Sequence, residues 1–215
     1  MIVGAEIFDL PHHFVFSHTA ALLRPHTSRW HCIYKNLANS TKNTSSVTTI
    51  STPHRGSKTF SIFLKAPRAF FSIAAFAVNN WIRLIGDKTP DFHRVCDEFA
   101  VSHMERFNAE NPDVPGVFYQ SVAGVMNHPF SDVSLWIANY VLNRIEGPND
   151  GLVSTESAAW GERCILISGN TRRGISHLDE IDFRRRALSK KTGENVTDIT
   201  AFYATLVDDL RKRGF

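Results

Sequence analysis

Near the end of the chain, Ile199, Phe202, Tyr203, Leu206, Val207 and Leu210 recur at three- and four-residue intervals. That spacing gathers them on one helical face. Thr197 or Asp198 can cap its start, and Arg211, Lys212 and Arg213 followed by Gly214 suit its end. Between Ala66 and Ile85 apolar side chains cover more than half of a helix circumference, which predicts a very apolar helix or helix pair. Asp91 to Asn108 predicts another helix, with Phe92, Val95, Phe99, Met104 and Phe107 to one side, closed by Pro112 to Gly116. A short helix is predicted over Asp132 to Asn143. Three β-branched or apolar runs read as strands: Ser46 to Ser51, ended by Pro53 and Gly56, then Val117 to Val122, then Cys164 to Ile167. Strands alternating with helices predict an α/β fold with a mainly parallel sheet.

The first 45 residues have a different texture. Five of the ten histidines, at positions 12, 13, 18, 26 and 31, fall there. Asn36 to Ser46 is mostly Asn, Ser, Thr and Lys, and no helical or alternating period persists from 11 to 46. The expected organisation is an atypical segment over 1–45 and one folded unit over 46–215. With 215 residues and 43% hydrophobic content, the chain can bury a large core. The net charge of +3 provides no basic stripe, and the run Arg184-Arg185-Arg186 with Lys190-Lys191 lacks interleaved aromatics. Nucleic acid is not a predicted partner. Cys32, Cys96 and Cys164 show no C-x-x-C spacing, which argues against a disulfide scaffold or zinc knuckle. No transmembrane segment is expected, since Asn79, Asn80 and Arg83 interrupt the most apolar stretch. Met1 to Leu10 carries Glu6 and Asp9 and lacks the basic start of a secretory signal.

Two stretches carry candidate chemistry. Asn149-Asp150-Gly151-Leu152-Val153 sets a carboxylate in a glycine-flanked turn, and Ser176-His177-Leu178-Asp179-Glu180 follows a histidine with carboxylates. Taken singly each is an ordinary turn or loop. With Val47-Thr48-Thr49-Ile50-Ser51-Thr52-Pro53-His54-Arg55-Gly56-Ser57 before them, the chain from about residue 46 to 215 resembles the C-terminal portion of bacterial triacylglycerol lipases of the α/β-hydrolase fold. Pro115 to Ser121 and Glu156 to Gly161 fit the same pattern.

The resemblance implies an α/β-hydrolase-like, mainly parallel sheet without its N-terminal strands, carrying an apolar lid-like helical insertion. It implies ester hydrolysis in the chain order nucleophile, acid, histidine, with Asp150 as acid and His177 as base. It also implies a calcium ligand at Asp179, while Phe183 stands near where the family pattern has a glutamine or similar ligand. Because a hard cation takes several oxygen ligands, Asp132 is the candidate second carboxylate. Lipid or ester is the implied substrate. Phe70, Phe71, Phe76, Trp81 and Ile82 are the expected interfacial face, with an ordinary buried helix as the competing reading.

The elbow that such lipases need, G-x-S-x-G, occurs nowhere in the sequence. Ser17 and Ser28 lie in the corresponding region without flanking glycines, so the nucleophile is unassigned. The expectation is that residues 1–45 are a mis-framed or alternative-start segment in place of the elbow, leaving the chain weakly active or inactive. The competing reading is a non-catalytic remnant that binds lipid surfaces. The family is often secreted, which leaves the compartment open.

Overall fold

The structure is a computed structural model that describes residues 7–8, 13–18, 44–84, 88–168, 172–182 and 198–215. Its centre is a five-stranded sheet in chain order: β1 (Ile7–Phe8), β2 (His13–His18), β3 (Thr44–Ile50), β4 (Phe118–Gly124) and β5 (Arg163–Ile167). β1 runs antiparallel to β2, and every other neighbouring pair is parallel. The fold is therefore α/β with a mainly parallel sheet, as the alternation of elements predicts.

The sheet extends into the first 45 residues, where the pattern suggests no element. β2 pairs with β3 from Phe14↔Ser46 to His18↔Ile50. Its sequence, His-Phe-Val-Phe-Ser-His, is a short apolar run rather than an alternation. Parallel strands inside a sheet commonly read that way, and so periodicity alone misses them. Ser28, Cys32, Phe183, the Arg184 to Lys191 basic run and Thr197 lie outside the described residues.

β3 and β4 form the buried middle of the sheet: Ser46 to Ile50 and all of β4 are buried. Side chains alternate between two cores. Ile50, Val122 and Ile167 face α8 (Ile199–Lys212), meeting Ile199, Leu206 and Phe202 together with Ile175. Ala123 faces the opposite way, onto Val153 and Ala158 of the segment that includes α6 (Thr155–Ala158). Asp198 caps α8 as predicted, its Oδ1 accepting from Thr200 N and Ala201 N.

Between β3 and β4 lies a helical insertion of α1 (Lys58–Lys65), α2 (Arg68–Leu84), α3 (Phe92–Glu98) and α4 (Val101–Glu110). The single helix predicted over 91–108 is broken at Phe99-Ala100. Ala100 adopts an extended conformation and bridges to Ser57, whose N–H donates to the Phe99 carbonyl at 2.8 Å. A long-range contact thus wins over local helical periodicity. Downstream of β4, a 3₁₀ turn (Pro129–Ser131) leads to α5 (Trp136–Ile145). Among the described residues, no helix is long and apolar enough to cross a membrane.

His54, in the turn after β3, is buried. Its Nε2 lies 2.9 Å from Thr49 Oγ1, its ring stacks on Trp160 at 4.2 Å, and its carbonyl accepts from Asn108 Nδ2 at 2.7 Å. Burial, and secondarily the Arg55 charge, lowers its pKa from 6.5 to about 3. The folded state thus resists a proton that the unfolded chain accepts. This contribution is complete above 6.5 and is lost as pH falls toward the folded value. Thermal unfolding as a function of pH checks this: between pH 6 and 5, His54→Gln should lose stability less steeply than the parent, by about 1.4 kcal/mol per pH unit.

Candidate active site

Both candidate loops ride on the C-terminal end of β4, where ligand sites of open α/β sheets gather. Beyond the strand, Met126 N donates to Asn149 O at 2.8 Å, and Val125 O accepts from Ile175 N at 2.8 Å. Asn149 shapes the acid loop from within: its Oδ1 accepts from Gly151 N at 2.8 Å and from Asn139 Nδ2 at 2.7 Å. Gly151 sits at φ +102°, and a Cβ there would lie 2.9 Å from the Cβ of Leu135. Only glycine meets both the backbone sign and the close approach.

Asp150 and His177 are brought together. The Asp150 carboxylate is wholly buried; Oδ1 accepts from Leu152 N at 2.8 Å and Val153 N at 2.7 Å, while Oδ2 lies 2.8 Å from His177 Nδ1. The loops also join through backbone, His177 N donating to Asp150 O at 2.9 Å. Burial would raise the Asp150 pKa, but the His177 charge and hydrogen bond, with the two amides, outweigh it and hold the carboxyl below its ordinary value. Asp150 thus engages the Nδ1 side of the ring.

Glu180 completes the buried group, a role that sequence reasoning missed although the residue belongs to the histidine motif. Its Oε2 lies 3.6 Å from His177 Nδ1, and its Oε1 accepts from Ser51 Oγ at 2.7 Å. Ser51 ends β3 at φ +41°, a left-handed conformation costly for a residue with a Cβ. That geometry aims its hydroxyl at Glu180. Glu180 Oε1 also lies so close to Gly124 that any Cβ there would collide with it. Burial, then the neighbouring Asp150 charge, raises the Glu180 pKa well above the usual range. Two carboxyls beside one imidazole are thus pushed in opposite directions, Asp150 toward the anion and Glu180 toward the neutral acid.

Donor atoms of Asp150, His177 and Glu180 lie within 4.8 Å of one another, a spacing that a metal ion can bridge. The hydrogen bonds above already use both Asp150 oxygens, so a cation would have to displace them.

Asp132 and Asp179 are also brought together, through Ser176, whose Oγ lies 3.0 Å from Asp132 Oδ2 and 2.9 Å from Asp179 Oδ2. Asp179 further takes Arg173 Nη2 on both carboxylate oxygens, at 2.9 and 2.8 Å. Arg173 is a second residue absent from the sequence expectation. Ser17 lies in β2 opposite Thr49. Of the described serines around the pair, Ser51 is bonded to Glu180 and Ser176 to the two aspartates.

The helical insertion corrects the expected interfacial face. Phe71 and Ile82 of α2 are buried, and Phe71 packs with Phe92 and Cys96. Trp81 is half-buried. Phe70, Ile73 and Phe76 point outward, as do Phe130, Val133 and Ile137 near α5.

No family model matches the chain. It is 30% identical over 190 residues to triacylglycerol lipase 2 of Saccharomyces cerevisiae, an alignment covering 84% of this chain and 52% of that protein. Over most of its length the chain is thus similar to a triacylglycerol lipase. It spans about half the length of the protein it matches. Among solved structures, the mature Bacillus licheniformis lipase BlEst2 is similar at 18% identity and TM-score 0.48, over 78% of this chain and 59% of that one. The metagenomic carboxyl esterase MGS0156 is similar at 17% identity and TM-score 0.46, over 66% and 40%.

The raised pKa of Glu180 gives the chain a pH signature. A carboxyl with a raised folded pKa binds its proton more tightly when folded. Its contribution is therefore complete below the unfolded value and lost as pH rises toward the folded one. Glu180→Gln, close in shape to the protonated acid, should remain within about 1 kcal/mol of the parent at pH 7. Unfolding followed from pH 5 to 8 should show a weaker loss with rising pH in the variant.

Proposed function

We propose that this chain carries the acid and histidine of a serine ester hydrolase of the α/β-hydrolase kind, acting on carboxylic esters of lipids such as triacylglycerols. The observation that carries the reading is the 2.8 Å contact between Asp150 Oδ2 and His177 Nδ1, with the other carboxylate oxygen fixed by two amides. The kinship to a triacylglycerol lipase supports the substrate class. Asp150 fixes the tautomer with the proton on Nδ1, leaving Nε2 as base. Nε2 takes the proton of a serine hydroxyl as it attacks the ester carbonyl, then returns it to the leaving alcohol. Asp150 stabilises the imidazolium formed between these steps. The attacking serine is left unassigned.

A fluorophosphonate probe reacts with an activated serine and tests the reading directly. The parent chain should be labelled, and the labelled peptide identifies the nucleophile. Asp150→Asn and His177→Ala should each lower ester turnover by roughly a thousandfold or more. The second reading, a lipid-surface binding remnant, is favoured by the absence of G-x-S-x-G from the sequence. It requires an unlabelled chain that still adsorbs to lipid.

Both readings place a lipid surface against the exposed apolar side chains of α2, among which Phe70 is 58% and Phe76 69% exposed. Co-sedimentation with phosphatidylcholine vesicles should fall roughly tenfold in the Phe70→Asp/Phe76→Asp double variant, because each phenyl ring forfeits its transfer into the acyl region. Retained binding would place the contact elsewhere.

A further inference from the structure

We infer that the Arg173 guanidinium is a built-in cation that clamps the histidine loop, at the position where the lipase resemblance sets a calcium ion, so that this chain positions His177 without a metal. Three segments converge there: the turn at Ser131-Asp132, the strand-like approach at Arg173-Gly174, and α7 (His177–Glu180) with its cap Ser176. Arg173 Nη2 binds both oxygens of Asp179, while its Nε donates to the Ser131 carbonyl at 2.7 Å. Its own carbonyl accepts from Asn127 N at 3.1 Å, so the backbone that carries the guanidinium is fixed to the end of β4. One planar fork thus ties the segment before α5 to the segment that carries the histidine.

The donor set does not fit calcium. That ion takes roughly six to eight oxygens at about 2.3–2.6 Å. Asp179 Oδ2 already accepts from Ser176 N and Oγ, both at 2.9 Å, as well as from Arg173. The Ser131 carbonyl faces a guanidinium N–H. Asp132 Oδ1 accepts from Ser134 N at 3.0 Å, and its Oδ2 lies 3.0 Å from Ser176 Oγ, whose single proton the two aspartates share. A divalent ion bound to Asp179 would sit beside a fixed positive charge in a region where Asp179 is 3% exposed and Asp132 fully buried. Like charges at such separations repel strongly in a poorly screened interior.

Arg173 is a positioning residue. Asp179 lies two residues past His177 and closes a reciprocal capping box with Ser176 that starts the turn on which the imidazole stands. Holding Asp179 holds that turn. The inference concerns how the loop is anchored and stands whether or not the chain hydrolyses esters.

Thermal unfolding with and without calcium tests it. The parent chain should melt at the same temperature in chelator and in millimolar calcium chloride, and calorimetric titration should detect no calcium binding. Arg173→Ala should melt lower by roughly 5 °C or more, since it leaves a buried carboxylate without its counter-charge. Millimolar calcium should restore much of that loss, because without the guanidinium the Asp179 carboxylate and the Ser131 carbonyl are open to an external cation. Arg173→Lys should keep the parent's indifference to calcium and supplies the comparison if the alanine variant fails to fold. A parent stabilised by calcium, with the effect lost in Asp179→Asn, would overturn the inference. So would an Arg173→Ala variant that melts like the parent or that calcium does not rescue.

Discussion

Four residues of backbone, Gly124 to Asn127, hold both halves of the site at once. Val125 N continues the sheet by donating to Ile167 O, while Val125 O takes Ile175 of the histidine loop. Met126 N takes Asn149 of the acid loop, and Asn127 N takes the Arg173 carbonyl. Because β4 is buried along its whole length, this extension inherits the rigidity of the sheet. Two loops distant in sequence are therefore fixed relative to one rigid reference rather than only to each other. Such over-determination keeps a 2.8 Å contact between buried ionisable side chains in one geometry.

The electrostatics depend on that rigidity. Asp150 and Glu180 both crowd His177, and both are buried, yet their environments shift their pKa values in opposite directions. Asp150 collects two amides and the imidazole, which together favour the anion. For Glu180, burial and then Asp150's charge favour the neutral acid, outweighing the Ser51 hydrogen bond. The left-handed Ser51 is a local strain retained because its hydroxyl reaches the second carboxyl.

A second carboxylate hub joins the turn after β3 to the acid loop. Glu146 Oε1 accepts from Ser57 Oγ at 2.6 Å, Thr59 N at 2.9 Å and Thr59 Oγ1 at 2.7 Å, while Oε2 accepts from Ser154 Oγ at 2.8 Å. The motif that ends β3, the helical insertion that follows it and the acid loop are thereby bound as one assembly. The apolar face of α2 is carried on this anchored base. The exposed Phe70 and Phe76 therefore sit on a helix whose other side, through Phe71 and Asn79, is locked to α3.

The sequence by itself determined the local elements and the chemical identity of the pair. Apolar spacing marks α8 and its Asp198 cap, β-branched runs mark β3 to β5, and Asn149-Asp150-Gly151 and Ser176-His177 are legible because turn chemistry is written in adjacent residues. The tertiary structure decided what depends on distant partners. β2 is a strand because β3 offers it a parallel edge, not because His13 to His18 alternate. The 91–108 helix breaks because Ser57 claims the Phe99 carbonyl. Phe71 turns inward because α1 and α3 pack there, which a helix apolar on most of its circumference cannot specify in advance. Glu180, Ser51 and Arg173 gain their roles only when β3, the end of β4 and the histidine loop meet. A carboxyl's protonation state and a guanidinium's target are set by what lies within a few ångströms, and chain order does not record that distance.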